Sequence, residues 1–412
     1  MSINIVYFTI FTSILISYHY HNIKMLYTGI TFFYESHIVE NFRSVDSIGW
    51  PYNTAHHGKV AELKINKLNL PETFIFKNES YNLENWLTQH WTTGLVVLKV
   101  ESPTNATLLF ESYYLGNTRE TKTISWSIGK SIVSALVGIA VSEGKIKSID
   151  DDVAIYAPQL KGTAYDGVKI KNVLQMSSGI TFNEDYDDIF SDINKMGFWI
   201  AMGWDINDFI KTLRRDKEQG IVHNYISIDT QILGMVLKSA IGQSLTSYLE
   251  DKIWKAGFEL DCNWLLDTDT KSSIELAFGT LNACTRDYAR FGWLYLNKGL
   301  SPLDGTRIID SKWIEDSVTV TELHLKANYP DKFGYGYQFW IPGCEDGEWG
   351  DYLAIGVYNQ FIYMDPGSGI VIAKNSANPN YNKEADPISN SNVGETQAVA
   401  AFRAIVKHFE YP

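Results

Sequence analysis

A serine hydroxyl becomes a useful nucleophile only when a base takes its proton, and Ser127 with Lys130 offers such a pair. In Ser127-Ile128-Gly129-Lys130 the two residues stand three apart, which puts them on one face of a helix. Gly129 leaves room for a substrate at the helix start, and the amides there favour a developing oxyanion. The spacing alone carries little weight. About two Ser-x-x-Lys matches are expected by chance in a chain of this composition, and two occur. The second, Ser142 to Lys145, adjoins Gly144 at a helix end, where lysine is a routine C-terminal residue. Ser127 instead opens a long apolar helix directly after a hairpin. Later, His223-Asn224-Tyr225-Ile226-Ser227 leads into another helix. The Tyr225 phenol is a candidate to pass a proton between the serine and a leaving group, with Lys130 lowering its pKa. Taken alone, Tyr225 reads better as a half-buried loop tyrosine, and His223 as a satisfied polar side chain.

Positioning these residues requires a rigid frame. Gly94 to Val100 and Thr107 to Leu115 read as strands joined by a Ser-Pro-Thr-Asn turn. Residues 127 to 143 carry apolar residues at helical spacing and end at Gly144. Between about 150 and 300 helices alternate with loops, including Thr230 to Ala240, Leu245 to Trp254 and Thr285 to Leu296. Strands return at Phe333 to Ile341, Tyr352 to Ile355, Gln360 to Met364 and Gly369 to Lys374, and a helix from Glu395 to Phe409 closes the chain. This order predicts one sheet interrupted in sequence by a helical insertion. The first 75 residues look irregular, and Tyr81 to Gln89 reads as a short helix.

Composition excludes some functions. The chain has 412 residues, 45% hydrophobic and 14% aromatic, enough for a large packed core, and no repeat or low-complexity tract. A net charge of -13 repels phosphate backbones and anionic lipid, so no nucleic-acid partner is expected. Cys262, Cys284 and Cys344 form no CxxC pair and read as buried thiols. Neither a metal motif nor a dinucleotide-binding glycine pattern occurs, and no cofactor or metal is expected. Residues 1 to 23 carry no Lys, Arg, Asp or Glu. A signal peptide, a membrane anchor over residues 1–25 and a buried helix are three open readings, the first two favoured, which points to a secreted, periplasmic or membrane-anchored protein. Residues 26–89 then read as an N-terminal extension and 90–412 as the main domain.

The motifs in order are similar to the serine β-lactamase-related hydrolases. Ser127-Ile128-Gly129-Lys130-Ser131, Val173-Leu174-Gln175-Met176-Ser177-Ser178-Gly179 and Tyr225-Ile226-Ser227 carry the resemblance. Ala277-Phe278-Gly279-Thr280-Leu281-Asn282-Ala283, Arg286 to Gly292 and Gly334 to Trp340 extend it, and the nearest subgroup resembles the 6-aminohexanoate-dimer hydrolases. The resemblance implies an α+β fold, an antiparallel β-sheet flanked by helices with an inserted helical subdomain. It implies Ser127 as acylated nucleophile, Lys130 as base and Tyr225 as proton relay, acting on a small amide or ester. One motif departs. The Lys-Thr-Gly of β-lactamases is replaced by Ala354-Ile355-Gly356, which removes the usual partner for a substrate carboxylate. By resemblance the Ile355 amide joins that of Ser127 as an oxyanion hole, and Gly356 keeps the strand open. The acidic loop from Phe182 to Asp192 would sit at the pocket rim, with Tyr186 and Asp192 facing a polar or cationic substrate end; a solvated acidic loop reads equally well. A relative that binds a peptide or cell-wall fragment with little catalysis is the competing reading, and an anchored structural scaffold a third.

Overall fold

The computed structural model describes residues 27–410 apart from 269, 271, 328–332, 344–348 and 382–392. The expected signal or anchor at residues 1–25 and Cys344 lie outside the described residues. Among those described, no helix is long and apolar enough to cross a membrane.

The frame is an eight-stranded sheet: β1 (Leu63–Ile65), β2 (Thr92–Ser102), β3 (Asn105–Tyr113), β4 (Phe333–Tyr335), β5 (Trp340–Pro342), β6 (Tyr352–Gly356), β7 (Gln360–Asp365) and β8 (Ile370–Ser376), in the spatial order β4-β5-β6-β7-β8-β2-β3-β1. Pairing is antiparallel except between β1 and β3. Strand β2 shows why the middle of the sheet is largely apolar. Val96 and Leu98 point into one core, and Leu95 and Val97, between them, point into another. A strand buried on both faces has no polar alternate positions.

The larger core holds helices α1 (Ile128–Ser142), α2 (Asp192–Ala201), α3 (Ser227–Ile241) and α4 (Thr285–Leu296). The smaller lies under α5 (Val393–Glu410), through Val399, Phe402, Ile405 and Val406, and under the helix Leu83–Gln89. The fold is thus α+β, with an antiparallel sheet flanked by helices and a run of helices between its first and last strands.

Two expectations need correction. The chain forms a second, four-stranded antiparallel sheet from Tyr52–Ala55, Cys262–Leu265, Leu281–Cys284 and Lys122–Ile124. Within the first 75 residues, the described part, 27–75, is also not irregular: it contributes a strand to each of these sheets and a short helix, Ile38–Arg43, whose Ile38 and Phe42 enter the larger core. Segments of three to six residues are too short to show a period in sequence.

Helix α1 is buried from Ile128 to Ala140, so its polar positions are chosen by contacts rather than by solvent. Gly138 faces Trp313, and a Cβ there would stand 2.4 Å from its indole ring. Gly138→Ala is expected to lower stability, because overpacking costs about 1–3 kcal/mol and helix propensity returns only about 1 kcal/mol. A lower urea midpoint checks this, and an unchanged one would mean that Trp313 moves aside freely.

Candidate active site

The small sheet delivers the candidate nucleophile, Ser127. Strand Lys122–Ile124 is pinned to Leu281–Cys284, and the Ser125 amide donates to the Leu281 carbonyl at 2.7 Å. Trp126 then takes a left-handed backbone conformation, φ 45°, and Ser127 starts α1. That sharp turn brings the hydroxyl to the helix N-terminus. The loop Ala277-Phe278-Gly279 packs behind it: a Cβ on Gly279 would come within 2.9 Å of the Trp126 backbone. Close approach of two backbones is the reason for glycine there.

Lys130 is only 1% exposed and its Nζ has three oxygen partners. They are Ser127 Oγ at 2.8 Å, Ser227 Oγ at 3.2 Å and the Phe278 carbonyl at 2.7 Å. Burial pulls the ammonium down to about 7, and the Glu184 carboxylate opposes that pull. The partners decide how a neutral amine sits. The Phe278 carbonyl can only accept. Ser227 donates its hydroxyl proton to Glu184, which as a carboxylate only accepts, so the Ser227 oxygen is left to accept from Lys130. Both N–H bonds of the neutral amine are thereby taken, and its lone pair faces the Ser127 hydroxyl. That is the arrangement a general base needs.

Glu184 and Ser227 are the site residues that sequence reasoning missed. Glu184 accepts the Ser227 amide at 2.9 Å and the Tyr186 hydroxyl at 2.8 Å, besides the Ser227 hydroxyl. Ser227 is the third residue of the Tyr-x-Ser pattern and was visible as a helix start. Glu184 was hidden among neighbouring carboxylates, which spacing cannot rank. Glu184→Gln removes the charge that holds the Lys130 pKa up, so the acid limb of the kcat/KM pH profile is expected to move below about 7. A limb that stays in place would show that the carboxylate has no electrostatic hold on the base.

The other sequence candidates divide. Tyr225 is brought to the pair: Lys130 Nζ lies 5.2 Å from its ring centroid, and the Ser127 side chain hydrogen-bonds its phenol. Its ring packs against Trp340 at 5.2 Å. The expectation that Lys130 lowers its pKa does not hold. Burial pushes the phenol up, the Ser127 hydrogen bond opposes this only in part, and Tyr225 stays protonated. His223 packs on Tyr335 at 4.8 Å, and burial lowers it to about 4, leaving it neutral. Tyr186 lines the pocket. Asp192 instead braces the acidic loop, accepting the Asn183 amide at 2.8 Å and pairing with Lys195 at 3.3 Å. The Ile355 side chain points into the smaller core. Gly356 sits against the Ser125 carbonyl, where a Cβ would come within 2.8 Å. Just beyond, Val357 and Tyr358 form the strand-side wall. Ser142 donates its hydroxyl to the Gly138 carbonyl of its own helix at 2.9 Å, a structural role.

Ser127 and Lys130 open into a pocket of about 160 Å³. Tyr186 and Asn194 divide it from a wider aromatic groove of about 720 Å³ that includes Phe198, Trp199 and Trp204. No group of three or more metal-ligating side chains occurs among the described residues.

The chain and its fold are similar to those of known proteins. The chain is 28% identical over 313 residues to the 6-aminohexanoate-dimer hydrolase of Paenarthrobacter ureafaciens, covering 72% of this chain and 76% of that one. Its fold matches that of a Bacillus anthracis protein assigned as a 6-aminohexanoate-dimer hydrolase, with a TM-score of 0.77 and 22% identity over 92% of this chain and 96% of the other. A penicillin-binding protein from Bacillus halodurans matches with a TM-score of 0.55 at 16% identity, over 72% of this chain and 97% of the other. The model of the family described as beta-lactamase matches residues 104–390, and the chain belongs to that family.

Proposed function

We propose that this chain is a serine hydrolase that cleaves a linear amide or an ester through an acyl-enzyme. The observation that carries the reading is the buried Lys130, whose hydrogen-bond partners turn its lone pair toward Ser127. Lys130 takes the Ser127 proton as Oγ bonds to the substrate carbonyl carbon. The resulting oxyanion is met by the Ser127 amide at the start of α1 and by an amide of the strand end spanning Ile355, Gly356 and Val357. As the intermediate collapses, the bond to the leaving group breaks and the neutral Tyr225 phenol protonates it. Lys130, now an ammonium, returns a proton to Tyr225 and is neutral again. In the second half Lys130 takes a proton from water, which attacks the acyl-enzyme, and Ser127 leaves with the proton restored.

Two features favour a linear substrate over a β-lactam. Ala354-Ile355-Gly356 provides no cation for the carboxylate that lactams carry. The relative with 28% identity bears the name of a hydrolase of a linear amide. Side-by-side assays of a p-nitrophenyl ester, a short linear amide and a chromogenic lactam test this. Turnover of the ester or the amide with none of the lactam is expected. Binding of a muropeptide with no turnover of any of the three would favour the low-activity binding reading instead.

A further inference from the structure

The N-terminal arm supplies one wall of the catalytic pocket. Phe33 lines the pocket that holds Ser127 and Lys130, although it lies more than ninety residues before them in sequence. Its ring stacks on Tyr358, with centroids 5.5 Å apart and planes 15° apart, and meets Trp126 at 5.9 Å. Those two aromatics also touch each other, with centroids 5.3 Å apart, so that Phe33, Trp126 next to Ser127 and Tyr358 just past β6 form one aromatic wall.

The arm is held in place. Phe42, 1% exposed, packs on Trp126 at 5.2 Å and on Tyr358 at 5.1 Å, beneath the Phe33 contact. The buried Asn41 amide donates to the carbonyls of Thr31 and Phe32 at 3.0 and 3.3 Å, which fixes the backbone just before Phe33. Arg43 donates to the Leu115 carbonyl at 3.1 Å. Phe33 itself stays 51% exposed. A half-exposed aromatic held this firmly at a pocket mouth has little folding benefit to explain it, and it closes a route by which a bound chain would leave the pocket.

On the opposite side, Tyr186 and Asn194 are the partition from the wider groove. The Tyr186 hydroxyl is tied to Glu184, and the Asn194 amide donates to the carbonyls of Tyr186 and Asp188 at 3.1 and 2.9 Å. Tyr225, the proton donor to the leaving group, is not among the residues lining this pocket. The leaving group therefore departs elsewhere, and the pocket is left for the acyl part.

We propose that Phe33 of the N-terminal arm sets the length of the acyl group, and that the substrates carry compact apolar acyl chains. This rests on the serine-hydrolase reading. A cavity of about 150 Å³ holds one benzene, so a pocket of about 160 Å³ takes an acyl chain of about six carbons.

The test is a series of p-nitrophenyl esters from acetate to dodecanoate, run with the wild type, Phe33→Ala and Phe33→Trp. In the wild type kcat/KM is expected to peak near butyrate to hexanoate and to fall at least about tenfold by decanoate. Phe33→Ala is expected to raise the decanoate-to-butyrate ratio about tenfold, and Phe33→Trp to lower the hexanoate-to-butyrate ratio. Phe33→Leu, which keeps an apolar anchor, carries the same comparison if the alanine variant unfolds. The same chain-length profile in every variant, with Ser127 still labelled by a fluorophosphonate, overturns the role of Phe33 alone. No labelling of Ser127 in the wild type removes the hydrolase reading and this proposal with it.

Discussion

Ser127→Ala is expected to lower kcat on any turned-over ester or amide by roughly 10⁴- to 10⁶-fold, the scale on which serine hydrolases lose activity with their nucleophile. No other group in the pocket can take over. Ser131 is committed to the Gln338 carbonyl, and Ser227 is committed to Glu184. The variant is also expected to fold. Ser127 makes no side-chain capping bond at the start of α1, so losing its hydroxyl leaves no helix amide unpaired. A fluorophosphonate should add one adduct to the wild type, mapped to Ser127, and none to the variant. Retained turnover in a correctly folded Ser127→Ala protein would falsify the acyl-enzyme mechanism.

Lys130→Met should be nearly as damaging, with a loss of roughly 10²- to 10⁴-fold, the range attributed to general acid–base catalysis. The pH profile separates this from a packing defect. Burial pulls the wild-type amine down to about 7, so kcat/KM should climb with pH below that value and level off above it. Lys130→Arg does not restore the base, because a guanidinium keeps its proton at any working pH. Stability should respond to Lys130→Met in the opposite direction to activity. The ordinary value of 10.5 applies to the unfolded chain, so between about 7 and 10.5 the unfolded state holds a proton that the folded state lacks. Wild-type stability from this group therefore rises with pH across that window, and below it both states are protonated and the slope vanishes. Lys130→Met removes the slope and is expected to be more stable at neutral pH, since it buries no ionisable amine. Urea midpoints at pH 7 and pH 9 for both proteins check the sign. A variant less stable than the wild type at both values would mean that the three hydrogen bonds of Lys130 outweigh its desolvation.

Much of the frame was legible in the amino acids. The apolar runs at Gly94 to Val100 and Gln360 to Met364 marked central strands, and the spacing from Ile128 to Ala140 marked the buried helix behind the nucleophile. The terminal helix and Thr285–Leu296 were equally plain. The short strands before residue 76 were not legible, because a strand of three or four residues exists only through its partners. The second sheet escaped notice for the same reason: its four strands come from segments as much as two hundred residues apart and more.

By itself the sequence determined that Ser127 and Lys130 share a helix face, because a spacing of three is local geometry and needs no partner. It determined the order of the motifs and the loss of the Lys-Thr-Gly cation for the same reason: identity and order are one-dimensional facts. Only the tertiary structure decided the protonation of the site. The lowered Lys130 and the raised Tyr225 both follow from burial, and burial is a property of the packed whole. Only the fold picked Glu184 out of a run of carboxylates, by placing it over Ser227 while Asp192 turned back to its own loop. Only the fold carried Phe33 across more than ninety residues of chain to the pocket of Ser127, since a contact between distant segments is decided by which surfaces pack together and not by any spacing along the chain.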